Sequence, residues 1–364
     1  MTRRFERIRC SIRVTTDRLV APATRLEMTM VTRRSFLTAA ALSPVAWARA
    51  DAVAGPRAAA GEVAIARVFA AGPPAAVLVY VLAPSALLGW PMRIEPESLR
   101  WIGPPAADLP VLGRLAGRGS TVSPETLVQL RPDLVLDVGA VDSTHVSMAE
   151  RVRRQTGLRY ELLGGRLEES ASLLRRAGAL LGVTGRAERL AREAERILEG
   201  VERGRAARAS TRVYLARGTD GLETGLGGSI NVEALEYVGA RNVAAAAGRG
   251  GITRVSLEQV LEWDPEVVVT QDPALARSVR ADPLWRAVSA VRGGRVLCAP
   301  SLPFGWLDNP PGVNRLIGIL WLARRLDAGR GGDDLPGLVR AFYDAFYRIT
   351  LSEAQLGRLL GDAP

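Results

Sequence analysis

Ser123-Pro-Glu-Thr-Leu-Val-Gln-Leu-Arg-Pro-Asp-Leu-Val-Leu-Asp137 returns in the second half of the chain as Ser256-Leu-Glu-Gln-Val-Leu-Glu-Trp-Asp-Pro-Glu-Val-Val-Val-Thr270. Each copy opens on Ser-x-Glu, continues through a short helical pattern, turns at Pro-acid and ends in an apolar run. Ser123 and Ser256 suit the N-cap position, because a serine hydroxyl accepts from the open N–H groups of a helix start. Glu125 and Glu258 then fall in the first turn, where the helix dipole favours negative charge. Leu134, Val135, Leu136 and Val267, Val268, Val269 are continuous rather than alternating, the pattern of strands buried on both faces. One such unit in each half predicts two similar α/β lobes, with one glutamate at the same place on each.

Working outward, strand and helix patterns alternate, which indicates parallel sheets. A strand over 64–71 leads through Gly72-Pro-Pro74 into a helix over 75–82. Residues 91–122 are rich in turn-formers, including Gly113-Arg-Leu-Ala-Gly-Arg-Gly119. After the first repeat copy come a helix over 146–156, a strand over 160–163 and a helix over 167–181. Gly182-Val-Thr-Gly185 interrupts the pattern, and 186–208 then reads as one long amphipathic helix of roughly 35 Å. The second half has strands over 212–216 and 295–299, a glycine-rich loop over 218–228, a helix over 230–238 ending at Gly239, and helices over 313–326 and 338–360. We therefore expect an N-terminal α/β lobe over 62–181, a stiff lobe-connecting helix over 186–208, and a C-terminal α/β lobe with C-terminal helices over 211–361. The fold class is α/β: two Rossmann-like lobes with parallel central sheets joined by one long rigid helix.

The first fifty residues stand apart. Thr32-Arg-Arg-Ser-Phe-Leu37 is a twin-arginine pattern, followed by a modest apolar run and an Ala48-Arg49-Ala50 cleavage site. Residues 1–50 thus read as a twin-arginine signal peptide, with an over-long start if translation begins at Met28 or Met30. No cysteine follows the cleavage region, so a lipid anchor is not expected. The whole chain carries +10, but residues 1–50 hold ten arginines against three acids, which leaves the mature part near +3. Nucleic-acid binding is excluded on that arithmetic. The apolar run is too short to span a bilayer. Every basic residue is arginine, Cys10 would leave with the leader, and Cys298 would remain unpaired. His145 is the single histidine, so a histidine-built site for a bare transition metal is not expected. It suits a surface or capping place near the helix that follows.

The order of parts, over about residues 62–355, resembles the periplasmic substrate-binding proteins of iron-siderophore, haem and cobalamin ABC importers, the BtuF- and FhuD-like, helical-backbone class. Three stretches carry the resemblance: Ser123-Pro-Glu-Thr-Leu-Val-Gln-Leu-Arg-Pro-Asp-Leu-Val135, Gly228-Ser-Ile-Asn-Val-Glu-Ala-Leu-Glu-Tyr-Val-Gly-Ala-Arg-Asn-Val243 and Val255-Ser-Leu-Glu-Gln-Val-Leu261. The resemblance implies that Glu125 and Glu258 dock onto arginines of a membrane permease, with its ATPase as a further partner. It implies a periplasmic, non-enzymatic receptor, expected to be a monomer. The cargo would be a small metal complex (ferric siderophore-like, corrinoid or haem) held between the lobes, with no resident cofactor. An oxyanion receptor of the same fold (molybdate or tungstate) is the alternative, and an extracytoplasmic enzyme the competing class.

Ligands of open α/β sheets sit at the carboxyl ends of the strands. The loops expected there offer Pro74, Arg114, Arg118, Arg217, Arg254, Phe304 and Trp306. Arginines can meet oxyanions and aromatic rings can stack on a macrocycle. Nucleophile triads lack a base in these loops, and Gly225-Leu-Gly-Gly228 lacks the Lys-Ser/Thr of a phosphate loop.

Overall fold

The repeat forms the same device twice. In the computed structural model, which describes residues 65–116, 119–327 and 334–361, the first copy folds as the helix Pro124–Leu130 followed by strand β2, Leu134–Gly139. The second folds as the helix Leu257–Trp263 followed by Val267–Thr270. The Ser123 hydroxyl accepts from the Thr126 N–H at 3.2 Å, and the Ser256 hydroxyl from the Gln259 N–H at 3.3 Å. The Pro-acid turns also match. Asp133 accepts from the Ala66 and Arg67 N–H groups, both at 2.9 Å, and Glu266 accepts from the Arg212 N–H at 2.8 Å. Each acid thereby ties its own strand to the start of the strand beside it. The arginines entering those neighbouring strands answer in kind: Arg67 donates to the Leu130 and Arg131 carbonyls, and Arg212 to that of Asp264. These are orphan carbonyls of the helix ends.

The first sheet runs β1 (Val68–Ala70), β2, β3 (Tyr160–Gly164), all parallel. In the second, β4 (Arg212–Leu215) lies between β6 (Arg241–Asn242) and β8 (Val267–Thr270), with β9 (Val296–Cys298) beyond, again parallel. Each repeat therefore delivers an inner strand, which explains its continuous apolar run. The stretch over 218–228 is not a plain loop: β5 (Glu223–Gly225) pairs antiparallel with β7 (Ile252–Arg254). Glycines with φ of +75° and +79° at 218 and 221 make the turn that sets up this ribbon.

Two expectations need correction. The long helix over 186–208 is instead Thr184–Glu202, about 28 Å long, and Gly204 separates it from a single turn at Arg205–Arg208. It is no free strut, because it packs along the helix Ser170–Leu180. A Cβ at Gly178 would collide with that of Ala187, so the glycine sets this close approach. Arg175 clamps the pair, binding Glu188 at 2.8 Å and Glu195 at 2.6 Å. The helix over 338–360 is also broken. It runs as Leu335–Phe342 and a wide turn at Tyr343–Tyr347, reverses at Arg348 with φ +60°, and restarts at Glu353–Leu360 under a Ser352/Gln355 capping box.

The wide turn is seated on the first lobe. Arg348 donates to the carbonyls of Tyr80, Val81 and Leu82, and Arg186 to those of Val81, Ala345 and Phe346. The last carbonyls of the helix Pro73–Leu82 are thus satisfied from two distant stretches of chain. One apolar cluster joins Val68 and Leu134 of the first sheet to Val213 and Val267 of the second. Beneath the strand ends, Arg315 makes a charged tie within it. The side chain is 2 % exposed and donates to Glu233 at 2.5 Å, to the Gly312 and Ile230 carbonyls, and to the Gly165 carbonyl of the first lobe at 2.5 Å. Glu233 also accepts the Leu167 N–H at 3.0 Å. Arg315→Ala would strand this carboxylate without its main partner. The expected loss is about 3–5 kcal/mol, read as a lowered urea midpoint with an unchanged slope.

Candidate functional site

Parallel strands bring their carboxyl ends to one edge, and the loops leaving them make the candidate site. In the first lobe these are Gly72-Pro-Pro74, the turn after Gly139 and Gly165-Arg166; in the second they are Arg217–Asp220, Gln271 and the segment 300–312. The two sets meet: a Cβ at Gly312 would lie 3.7 Å from the Pro74 Cα. Pro74 is accordingly at the junction of the lobes.

Arg114 sits in a loop pinned to the end of β1, where Leu115 and Ala116 donate to the Ala71 carbonyl. Its Nε donates to the Gly119 carbonyl at 3.2 Å, and its own N–H bonds the Thr121 hydroxyl at 3.0 Å. Arg118 lies outside the described residues. Arg217 leaves the carboxyl end of β4 and pairs through Nη1 with Asp308 Oδ2. The Asp308 side chain is 1 % exposed and that of Arg217 22 % exposed. Asp308 also accepts from Gln271 Nε2 at 2.5 Å and Asn231 Nδ2 at 3.3 Å. Gln271 Oε1 takes the Leu307 N–H at 2.7 Å, which fixes the amide's orientation. Arg254 does not join this group by any bond of its own: it is exposed on β7 and pairs with Asp220.

The two aromatic candidates require correction. Trp306 is fully buried, and its indole N–H donates to the Tyr343 hydroxyl at 3.2 Å. Phe304 is 5 % exposed and packs edge-on against Tyr80 and Tyr347, at 5.8 Å between centroids in each case. A ring enclosed by its own protein has no face left for a macrocycle. Both anchor the segment after β9, which carries Asp308.

Sequence reasoning passed over Asp308, Gln271, Asn231, Arg315 and Glu233. One signal was available: Asp308 lies two residues after Trp306, between Leu307 and Asn309-Pro-Pro. Its burial, and the distant partners that make burial tolerable, were not visible there.

Glu125 and Glu258 are exposed at the starts of their helices. The helix running back to each strand puts these glutamates at the same carboxyl edge as the loops. The Ser123 hydroxyl beside Glu125 holds that carboxyl below its usual range; for Glu258 the backbone N–H of the residue itself acts first, then the Ser256 hydroxyl. Both are therefore ionised at neutral pH. His145 bonds the N-cap Asp142 through its backbone and through Nδ1 at 2.8 Å, in keeping with a capping place. Among the described residues no cluster of three or more His, Cys, Asp or Glu could hold a metal ion, and no helix is long and apolar enough to cross a membrane.

Two similar α/β lobes, each with a parallel sheet, with facing strand-end loops, define the class of binding protein whose family model, described as periplasmic binding protein, matches residues 113–302. The chain belongs to that family. Among solved structures it is similar to an ABC transporter solute-binding protein from Sulfurospirillum deleyianum, with a TM-score of 0.74 and 24 % identity over 81 % of this chain and 94 % of the other. It is also similar to the molybdate periplasmic binding protein MolA of Haemophilus influenzae, bound to molybdate, with a TM-score of 0.65 and 23 % identity over 79 % and 94 % of the two chains. At these identities the likeness concerns the fold. A stretch of 119 residues is 36 % identical to MolA of the same organism, which is 32 % of this chain and 33 % of that protein. The matching stretch thus spans about a third of that relative's length.

Asp137 supplies a test of the first lobe's strand ends. It is 2 % exposed on β2, and burial raises its carboxyl above the usual range despite a 2.9 Å bond from the Tyr160 hydroxyl. A carboxyl raised in the folded state stabilises below its unfolded value and loses that contribution as pH rises through the folded one. Asp137→Asn should match the parent near pH 4 and exceed it in stability toward neutrality, measured by urea midpoints across that window.

Proposed function

We propose that this protein is the substrate-binding receptor of an ABC importer, holding a small oxyanion of the molybdate class between its lobes and presenting it to a permease. The observation that carries the reading is Arg217, a partly exposed guanidinium at the carboxyl end of β4, braced from beneath by a buried carboxylate. A guanidinium held in one orientation suits a compact oxyanion, whose charge is met by directed N–H donors. The stretch 36 % identical to a molybdate-binding protein points the same way. The enclosed rings of Phe304 and Trp306 leave less support for a flat haem or corrinoid. A ferric chelate is the second reading, favoured by Val141, 59 % exposed just beyond the end of β2, which could meet the apolar part of a chelator.

Delivery would use Glu125 and Glu258, one on each lobe at the edge where the cargo enters. Two ionised carboxylates on helix starts orient the receptor on a positively charged partner surface. The twin-arginine leader, processed near Asp51, would carry the folded chain to the periplasm without a lipid anchor, and the receptor would act as a monomer with no catalytic step.

Isothermal titration of the mature protein with molybdate, tungstate and a ferric siderophore tests the cargo. Saturable binding of the two oxyanions and none of the chelate is expected; the reverse order would replace the first reading by the second. The double reversal Glu125→Arg, Glu258→Arg is expected to abolish uptake in cells while leaving the titration unchanged. Loss of affinity in that variant would show that the glutamates belong to the cargo site instead. Because Arg315 ties the lobes beneath the site, X-ray scattering with and without cargo should show nearly the same radius of gyration.

A further inference from the structure

We propose that Asp308 is the positioning residue of the cargo site, acting through Arg217; the assignment rests on the receptor reading above. Several features of the geometry converge on it. Asp308 is buried to 1 % exposure, a costly place for a carboxylate unless donors surround it. Those donors come from three different segments of the second lobe: Arg217 after β4, Asn231 before the helix Glu233–Tyr237, and Gln271 after β8. Each of these loops is therefore referenced to one atom group. Gln271 is itself held by the Leu307 N–H, next in sequence to Asp308, so the brace closes on itself.

The network also lies against the lobe junction. Asn231 directly follows Ile230, whose carbonyl is tied through Arg315 to Gly165 of the first lobe. Asp308 is four residues before Gly312, which faces Pro74. Arg217, about a fifth exposed, is thus braced by residues close in sequence to the lobe junction. Arginine carries considerable rotamer freedom, and binding normally costs the ordering of such a side chain. Here folding has already ordered it. The same pairing cancels the net charge of the site in this lobe, as Asp220 does for Arg254. Recognition through Arg217 accordingly depends on the direction of its N–H groups more than on long-range attraction, and affinity should vary little with ionic strength.

A double-mutant cycle on the mature protein, titrated with molybdate, separates this role from a merely structural one. Arg217→Ala is expected to weaken binding at least about tenfold, and Arg217→Lys nearly as much, because a lysine keeps the charge and loses the fork. Asp308→Asn should weaken binding about tenfold in the parent and less than about twofold in the Arg217→Ala background. Asn231→Ala, which removes one brace and keeps the buried carboxylate, guards against a folding defect: it should cost about threefold, again only when Arg217 is present. Losses from Asp308→Asn and Asn231→Ala that persist without Arg217 would overturn the assignment, as would full affinity in Arg217→Lys. No saturable molybdate or tungstate binding by the parent would sink the oxyanion reading and this assignment together. Parent binding that survives Arg217→Ala would sink the assignment alone.

Discussion

Arg315 is enclosed on all sides, and its guanidinium is bound directly by both lobes beneath their strand ends. Burial pushes its proton affinity down, and Glu233 opposes that shift. The Gly165 carbonyl on one side and Ile230 and Gly312 on the other fix the separation of the loops above it. Were the tie made of apolar contacts alone, the lobes could slide over one another. A charged group with directed donors permits one register. The position of Pro74 against Gly312 follows from that register.

The apolar core enforces the same unity from below. Tyr80, Phe304 and Tyr347 are contributed by the first lobe, the segment after β9 and the C-terminal turn, and they pack as one aromatic group. The chain end is thus part of the first lobe's support, through Arg348 and Arg186 on the helix Pro73–Leu82. Arg315, the aromatic group and Arg348 together hold the strand-end loops in one arrangement. The aromatic residues are spent on that frame, while arginine, amide and carboxylate groups line the strand ends. This division of labour underlies the proposal of an oxyanion cargo.

The repeat carried its meaning openly. Its serine caps, first-turn glutamates, Pro-acid turns and apolar strands are local features, each decided within a few residues, and all of them form as the pattern indicates. Reading failed where distant chain took part. The extent of the helix after Thr184 depends on Gly204 and on packing against Ser170–Leu180, and the break at Arg348 depends on carbonyls more than 260 residues away. Trp306 and Phe304 looked like exposed loop aromatics because a glycine- and proline-rich segment normally lies at the surface. Tyr343 and Tyr80, far off in sequence, draw them inside.

By itself, then, the amino-acid order determined two α/β lobes with parallel sheets, the placing of one glutamate at the head of each repeat helix, and the small net charge of residues 51–364. Those properties depend on periodicity, capping and composition, which act over short range. Tertiary structure alone decided which candidate residues became a site. Arg217 acquired an orientation only when it met Asp308, on which Asn231 and Gln271 also converge, and Arg315 became a tie only when Gly165 and Glu233 met. A buried charge is stable only among its partners, and no stretch of sequence shows which partners folding will bring.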